Sequence, residues 1–351
     1  MMTDFDTMLG LVQPLARTVA EKFTTAFRAN DIVFSPTSLA HLRAKGGALF
    51  QLRYCPALKK KPQGDNSASK KEPTGSKFDP FAAPAPELLI AQIPVPNASH
   101  TLVLNKYPVI HNHFIIATKA NKPQTDLLEE DDIGLAYACL RAWQTRQDEG
   151  RSSRLFAFFN SGEHSGASQV HRHLQFLPLE DMASSDNQDW GLLIDRMNSR
   201  AHPKLPLFHD PSLPILHFST PLEEGISPSE LHRKYLLLMR AALSAIQRSD
   251  QHGNEDLAVE RNGQTLLSYN LAMTTDRMAI CPRSQEATAI PGAGPESSVA
   301  INGTILAGTL MVKHETEWDI LRENHTLLDD MLATIGYPLA LSQQREAEAT
   351  L

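Results

Sequence analysis

The chain is short of cysteine, of long apolar runs and of positive charge, and each shortage excludes a class of function. Its 351 residues hold 3 cysteines, Cys55, Cys139 and Cys281, far apart in sequence. No paired-cysteine zinc spacing exists, and no disulfide framework is expected. This usage predicts a reducing, cytoplasmic compartment, with the nucleus also open. No apolar run approaches the roughly 18 residues of a membrane span. Asp4 and Asp6 stand where a secretory leader needs basic and then apolar residues, so no leader is predicted. A net charge of -7 disfavours nonspecific attraction to nucleic acid. A hydrophobic content of 42% and a charged content of 21% are ordinary for a globular protein. The length allows one large domain or two smaller ones.

What is present is concentrated in one stretch. An apolar run, Arg154-Leu155-Phe156-Ala157-Phe158-Phe159, leads into Asn160-Ser161-Gly162-Glu163-His164-Ser165-Gly166-Ala167-Ser168-Gln169-Val170. His171-Arg172-His173-Leu174-Gln175 and a second apolar run follow. The pattern predicts strand, tight polar turn, strand. Gly162 and Gly166 let a backbone approach a ligand closely. The short polar side chains and N–H groups of the turn can line an anion. Strand alternation puts His171, His173 and Gln175 on one face. A histidine pair at this spacing could also hold a metal or be a solvated polar face. A zinc site, however, needs further soft or imidazole ligands, and no cysteine lies near. Two imidazoles and an amide beside an N–H-rich turn point to chemistry on a phosphoryl group.

The rest of the chain reads as follows. A helical stripe, Met8, Leu11, Leu15, Val19, Phe23 and Phe27, predicts one amphipathic helix over 5–29. Strands are predicted over 48–54, 88–93, 101–104, 113–118, 268–273 and 278–281, and helices over 126–146 and 228–249. Ser227-Pro228-Ser229-Glu230 is a capping box with proline at the first helical position. Residues 63–86, rich in Pro, Ser, Gly, Lys and Ala, read as a mobile surface loop anchored at its far end by Asp79-Pro80-Phe81. The expected fold is α+β, an antiparallel sheet with helices on one face.

His-x-His-x-Gln after Gly166-Ala167-Ser168-Gln169 resembles the nucleotidyltransferase branch of the histidine-triad superfamily. More closely it resembles the fungal diadenosine tetraphosphate phosphorylases, also called ATP adenylyltransferases. Further stretches match in order across most of the chain: Arg53-Tyr54-Cys55-Pro56-Ala57-Leu58-Lys59-Lys60-Lys61-Pro62, Asp79-Pro80-Phe81, and Leu104-Asn105-Lys106-Tyr107-Pro108-Val109 with His113. Ser268-Tyr269-Asn270, Pro282-Arg283-Ser284, Ala300-Ile301-Asn302 and Gly308-Thr309-Leu310-Met311-Val312-Lys313 complete the series.

The resemblance implies two related halves, 1–205 carrying the catalytic motif and 206–351 packed against it. It implies that His173 is the nucleophile, that His171 orients it, and that Gln175 stands where simpler hydrolases of the superfamily carry a third histidine. It places Gly166, Ala167, Ser168 and Gln169 on phosphate oxygens, with Asn160 fixing the far end of the turn. Lys61 is placed near the phosphate chain, and Asn105 and Lys106 against the nucleotide. Ala300, Ile301, Asn302, Thr309 and Lys313 would contact substrate from the second half. Ala300 departs from the family's asparagine and Thr309 from its methionine. Lys59, Lys60 and His111 have no such motif position and read as ordinary surface residues.

The chemistry that follows is phosphorolysis: diadenosine tetraphosphate and inorganic phosphate give ADP and ATP, reversibly, through AMP held on His173. A neutral imidazole is nucleophilic near pH 7. An amide at Gln175 can donate to a nonbridging oxygen but cannot release a proton, which favours transfer to phosphate over attack by water. Adenylyl sulfate is a second possible substrate. A dinucleoside polyphosphate hydrolase and an inactive nucleotide sensor are the rival readings. No tightly bound cofactor and no dedicated metal site are expected; magnesium would enter with the nucleotide. The expected partners are small molecules alone, with no nucleic acid and no membrane, and the expected state is a monomer.

Overall fold

The computed structural model describes residues 4–60, 78–144, 153–183, 189–202, 204–250 and 263–337. Strands form where β-branched and aromatic residues run together. In chain order they are β1 (Ser38–Arg43), β2 (Leu49–Tyr54), β3 (Leu89–Ile93), β4 (His100–Leu104), β5 (Phe114–Thr118), β6 (Leu155–Ser161), β7 (His173–Pro178), β8 (Arg200–Ala201), β9 (Phe208–His209), β10 (Phe218–Pro221), β11 (Tyr269–Met273), β12 (Arg277–Pro282), β13 (Ala287–Thr288), β14 (Val299–Ala300) and β15 (Thr309–Val312). The α-helices are α1 (Asp4–Met8), α2 (Leu15–Arg28), α3 (Glu130–Gln144), α4 (Leu179–Met182), α5 (Leu193–Arg196), α6 (Pro228–Asp250), α7 (Glu315–Glu323) and α8 (Leu327–Ile335).

Ten strands make one antiparallel sheet in the order β3-β4-β5-β7-β6-β11-β12-β10-β9-β8. It passes from the first half of the chain to the second where β6 pairs with β11, Asn160 opposite Asn270. The central strands β4, β5 and β6 are buried along their whole length. Strands with no polar alternation are covered on both faces. On one face α2, α3 and α6 close a core around Ile133, Tyr137, Leu140, Trp143, Leu231, Tyr235 and Leu238. The opposite face carries a second core, joining Phe156, Phe158 and Leu177 to Phe50, Leu52, Leu310, Val312, Leu321 and Leu328. Its cover is a three-stranded sheet β1-β2-β15 with α7 and α8. The expectation of helices on one face is therefore corrected: both faces are packed. The β2–β15 pair is also parallel.

Three local readings change. The single helix over 5–29 is two helices, because Gly10 takes φ 65° and Pro14 caps the second. Proline at that cap needs no N–H of its own. The helix read over 126–146 starts at Glu130; before it, Leu127 and Leu128 are buried and their N–H groups bond Gly263 O and Tyr235 Oη. The tight turn between β6 and β7 is a broad connection, residues 162–172, since β6 leaves β7 after Phe158 and continues against β11. The capping box forms as read: Ser227 N donates to the Glu230 carboxylate, and Glu230 N donates to Ser227 Oγ. Lys61, residues 63–77 of the loop and Arg146 lie outside the described residues.

Candidate active site

The histidine strand is amphipathic by chemistry rather than by polarity alone. Leu174 and Phe176 enter the helical core, and His173 and Gln175 face the other way, opposite Ala117 and Ile115 of β5. They occupy a polar gap between the second core and a small apolar cluster of Phe81, Val103, Ile115 and Ala117. Arg172 points to the helical side. It is 2% exposed and donates to Asp132 at 2.7 Å and Glu129 at 3.0 Å. Asp132 is 1% exposed and also bonds His100 at 2.9 Å. Burial pushes the Asp132 carboxyl up, but His100 and Arg172 outweigh it and hold it below the usual range.

His173 is held at three atoms. Its N–H donates to Gln124 Oε1 at 2.8 Å, and its carbonyl accepts from Gln124 Nε2 at 3.2 Å. Its Nδ1 lies 2.8 Å from the His171 carbonyl. A carbonyl only accepts, so the proton sits on Nδ1 and the lone pair on Nε2. The Phe81 ring lies 5.0 Å from the His173 ring, centroid to centroid. The orienting group that His171 supplies is therefore its backbone oxygen. Its ring is used elsewhere: Nδ1 meets Asp79 Oδ2 at 2.8 Å, and Nε2 meets the Thr118 carbonyl at 2.7 Å. Burial works against the Asp79 carboxylate, but the Phe81 N–H and the His171 ring hold it below the usual range. Asp79-Pro80-Phe81 thus closes its loop directly onto both histidines.

Asn160 is 1% exposed and joins the halves. Its Oδ1 accepts from Gly303 N at 2.8 Å and from Asn270 Nδ2 at 2.9 Å. The backbone donor fixes which end of the amide is oxygen. Nδ2 therefore points away, and it has no hydrogen-bond partner among the described residues. Gln124 bonds both Asn160 O and His173, so these two residues flank the mouth where β6 and β7 part. Asn270 also donates to Ser165 O at 2.8 Å and accepts from Arg283 Nη1 at 2.6 Å. Burial lowers Arg283 to about 10.

Gly166 takes φ 77°, and a Cβ there would lie 2.9 Å from Asn302 Cβ and 3.0 Å from Ile301 O. Ala167 and Gln169 are half-buried and Ser168 is exposed. Among the described residues, none accepts a hydrogen bond from the N–H groups of Ala167, Ser168 and Gln169. These donors are available to an anion.

Beside this loop runs a cleft of about 230 Å³, lined among others by Asn105, His113, Phe158, Gln175, Ala300, Asn302, Met311 and Lys313. The remaining expected contacts divide. Ala300 is exposed in the cleft wall, and Asn302 lines it while its Oδ1 caps the turn at Thr304. Ile301 is 3% exposed, its side chain in the second core and its carbonyl on Arg283. Lys106 is exposed, with Nζ 5.9 Å from the centre of the Tyr107 ring. Thr309 is corrected: it is fully buried, and its hydroxyl donates to Gln51 Oε1 at 3.3 Å, so it presents no surface to the cleft. Met311, two residues on along the same strand, does. Gln124, Asp79, Phe81, Asn270 and Arg283 build the site without having been singled out as site residues. Four of them stand in stretches that match the family, which was the signal available; Gln124 had none.

Comparison with known proteins decides the family. The description Ap4A phosphorylase N-terminal domain matches residues 9–189, and ATP adenylyltransferase C-terminal domain matches residues 211–338. The chain belongs to the Ap4A phosphorylase family. Within the family it is similar to diadenosine 5',5'''-P1,P4-tetraphosphate phosphorylase 2 of Saccharomyces cerevisiae, 29% identical over 312 residues, 84% of this chain and 86% of the relative. It is also 26% identical over 349 residues to Protein APA1 of the same yeast, 96% of this chain and 98% of that one. The crystal structure of yeast Ap4A phosphorylase Apa2 shares the fold, with a TM-score of 0.73 at 24% identity over 93% of this chain and 99% of that chain. The same protein solved in complex with Ap4A gives a TM-score of 0.73 at 24% identity, covering 93% and 98%.

Proposed function

We propose that this chain phosphorolyses diadenosine tetraphosphate to ADP and ATP, reversibly, through AMP bound to His173. The observation that carries the reading is a His173 ring of fixed polarity on the strand that follows a turn with unused donors. His173 carries its proton on Nδ1 and its lone pair on Nε2, and Asn160 Nδ2 and the N–H groups of Ala167, Ser168 and Gln169 have no acceptor among the described residues. Nε2 attacks the α-phosphorus. The bond from that phosphorus to the bridging oxygen breaks, ATP departs with the oxygen, and AMP stays on His173. Phosphate then attacks the same phosphorus, the P–N bond breaks, and ADP leaves. Donors aimed at the nonbridging oxygens stabilise the charge that builds there in each step. Two inversions give net retention at phosphorus.

Gln175, Lys313 and Asn302 line the cleft where the nucleotide would lie. Magnesium would arrive with the phosphate chain and screen its charge; among the described residues no group of three or more His, Cys, Asp or Glu is placed to hold a metal ion. Adenylyl sulfate offers the same α-phosphorus and belongs in the same assay. The test is to mix the protein with radiolabelled diadenosine tetraphosphate in the absence of phosphate, quench, and map the label. Acid-labile label on the peptide containing His173, lost in His173→Asn, is expected. Label elsewhere, or none with substrate consumed, refutes the reading.

A further inference from the structure

Gln175 shares a strand face with His173, and a chain of hydrogen bonds fixes which way its amide is turned. Tyr107 N donates to Asn105 Oδ1 at 2.9 Å. A backbone N–H can only donate, so that atom of Asn105 is oxygen and the amide is fixed. Asn105 Nδ2 then faces His113 Nδ1 at 3.0 Å. An amide nitrogen only donates, so Nδ1 accepts and the imidazole proton is on Nε2. His113 Nε2 lies 3.1 Å from Gln175 Oε1 and donates to it. Each assignment forces the next, and the last leaves the two protons of Gln175 Nε2 directed away from His113. His113 is 7% exposed, and Asn105, His113 and Gln175 all line the same cleft.

We propose that Asn105 and His113 are positioning residues: a relay of fixed polarity, started by the Tyr107 N–H, orients the Gln175 amide with its NH2 toward the phosphate oxygens. The last link rests on the phosphorolysis reading; the relay itself does not. Without it the amide could rotate and set its oxygen against the anionic phosphate. The effect therefore falls on turnover more than on binding of the remote nucleoside. The relay also gives Asn105 a duty beside any contact with the nucleotide, since its oxygen is already engaged.

Two measurements test this. Long-range proton–nitrogen NMR on protein with labelled histidine reads the His113 tautomer directly. The Nε2–H form is expected in the native chain and a mixture with Nδ1–H in Asn105→Ala. The Nδ1–H form in the native chain overturns the relay whatever the activity. Kinetics then read a double-mutant cycle. His113→Leu is expected to lower kcat about 10- to 100-fold with KM changed less than about 3-fold. In a Gln175→Ala background the same substitution is expected to have no further effect on kcat. An equal loss in both backgrounds means that His113 acts independently of Gln175 and overturns the proposal. If the tautomer is as expected and no variant, nor the native chain, turns over diadenosine tetraphosphate, the phosphorolysis reading fails and the relay stands.

Discussion

At the scale of single residues, the site is made by side chains whose polarity is dictated by backbone groups. Asn160 is the plainest case. Asn160→Asp keeps an oxygen for Gly303 N and Asn270 Nδ2 while replacing the unpartnered donor with a negative charge. The expected result is a kcat lower by about 100- to 1000-fold, the range found when an oxyanion donor is lost, a larger drop than the lower melting temperature that a buried, unpaired charge brings accounts for. Steady-state kinetics beside a thermal melt check it. How much of this was legible in the sequence follows from distance along the chain. His173 and Gln175 could be read because strand alternation is local. Gln124 could not, since it reaches His173 from 49 positions away, and Asp79 reaches His171 from 92. Thr309 was misread because a motif position says nothing about which face of β15 a side chain occupies.

At the scale of elements, β7 is positioned by a tether on each face. Behind it, Arg172 binds Asp132 of α3 and Glu129 just before that helix. Removing one partner of a buried pair leaves the other charge uncompensated, at a cost of about 3–5 kcal/mol. Arg172→Met is therefore expected to lower stability by that amount in chemical denaturation, with activity lost in proportion to unfolding. In front, the 162–172 connection is clamped to the second half of the chain through Gly166. Its left-handed φ of 77° and the nearby Asn302 leave no room for a side chain. Gly166→Ala should cost about 1–3 kcal/mol from strain and shift the phosphate-binding N–H groups, lowering kcat/KM by more than stability explains. The sequence marked both glycines but read a tight turn. The connection widened because β6 found a second partner in β11, a strand more than a hundred positions later, which no local pattern announces. Helix ends moved for a related reason: residues 127–128 look helical by pattern, yet their N–H groups are claimed by Gly263 and Tyr235.

At the scale of the molecule, the two cores on either side of one sheet hold the site between them. The unbroken apolar runs 102–104, 114–117 and 155–159 within β4 to β6 contained that information, as strands buried on both faces, and the expectation of a single helical layer passed over it. The second core also stores a pH response. His217 is fully buried, with Nε2 accepting from Asp210 N and Nδ1 donating to the Ile215 carbonyl, so it folds neutral. Burial lowers it from 6.5 to about 4. Above pH 6.5 it is neutral folded or unfolded and has no effect. As pH falls below that, the unfolded chain binds the proton first and stability is lost until about pH 4, on the order of 2 kcal/mol at pH 5. The carboxylates of Asp79 and Asp132, held low, weaken the fold only at more acidic pH. Denaturation at pH 7 and pH 5 should show this loss in the native chain and a smaller one in His217→Gln.

The central claim is that one ring, His173, passes AMP from a dinucleotide to phosphate. It is tested most directly by incubating the protein with diadenosine tetraphosphate, with and without inorganic phosphate, and resolving the nucleotides. ADP and ATP in equal amounts, formed only with phosphate and abolished in His173→Asn, is the predicted result. AMP and ATP, or ADP alone, formed without phosphate would contradict it and make the protein a hydrolase.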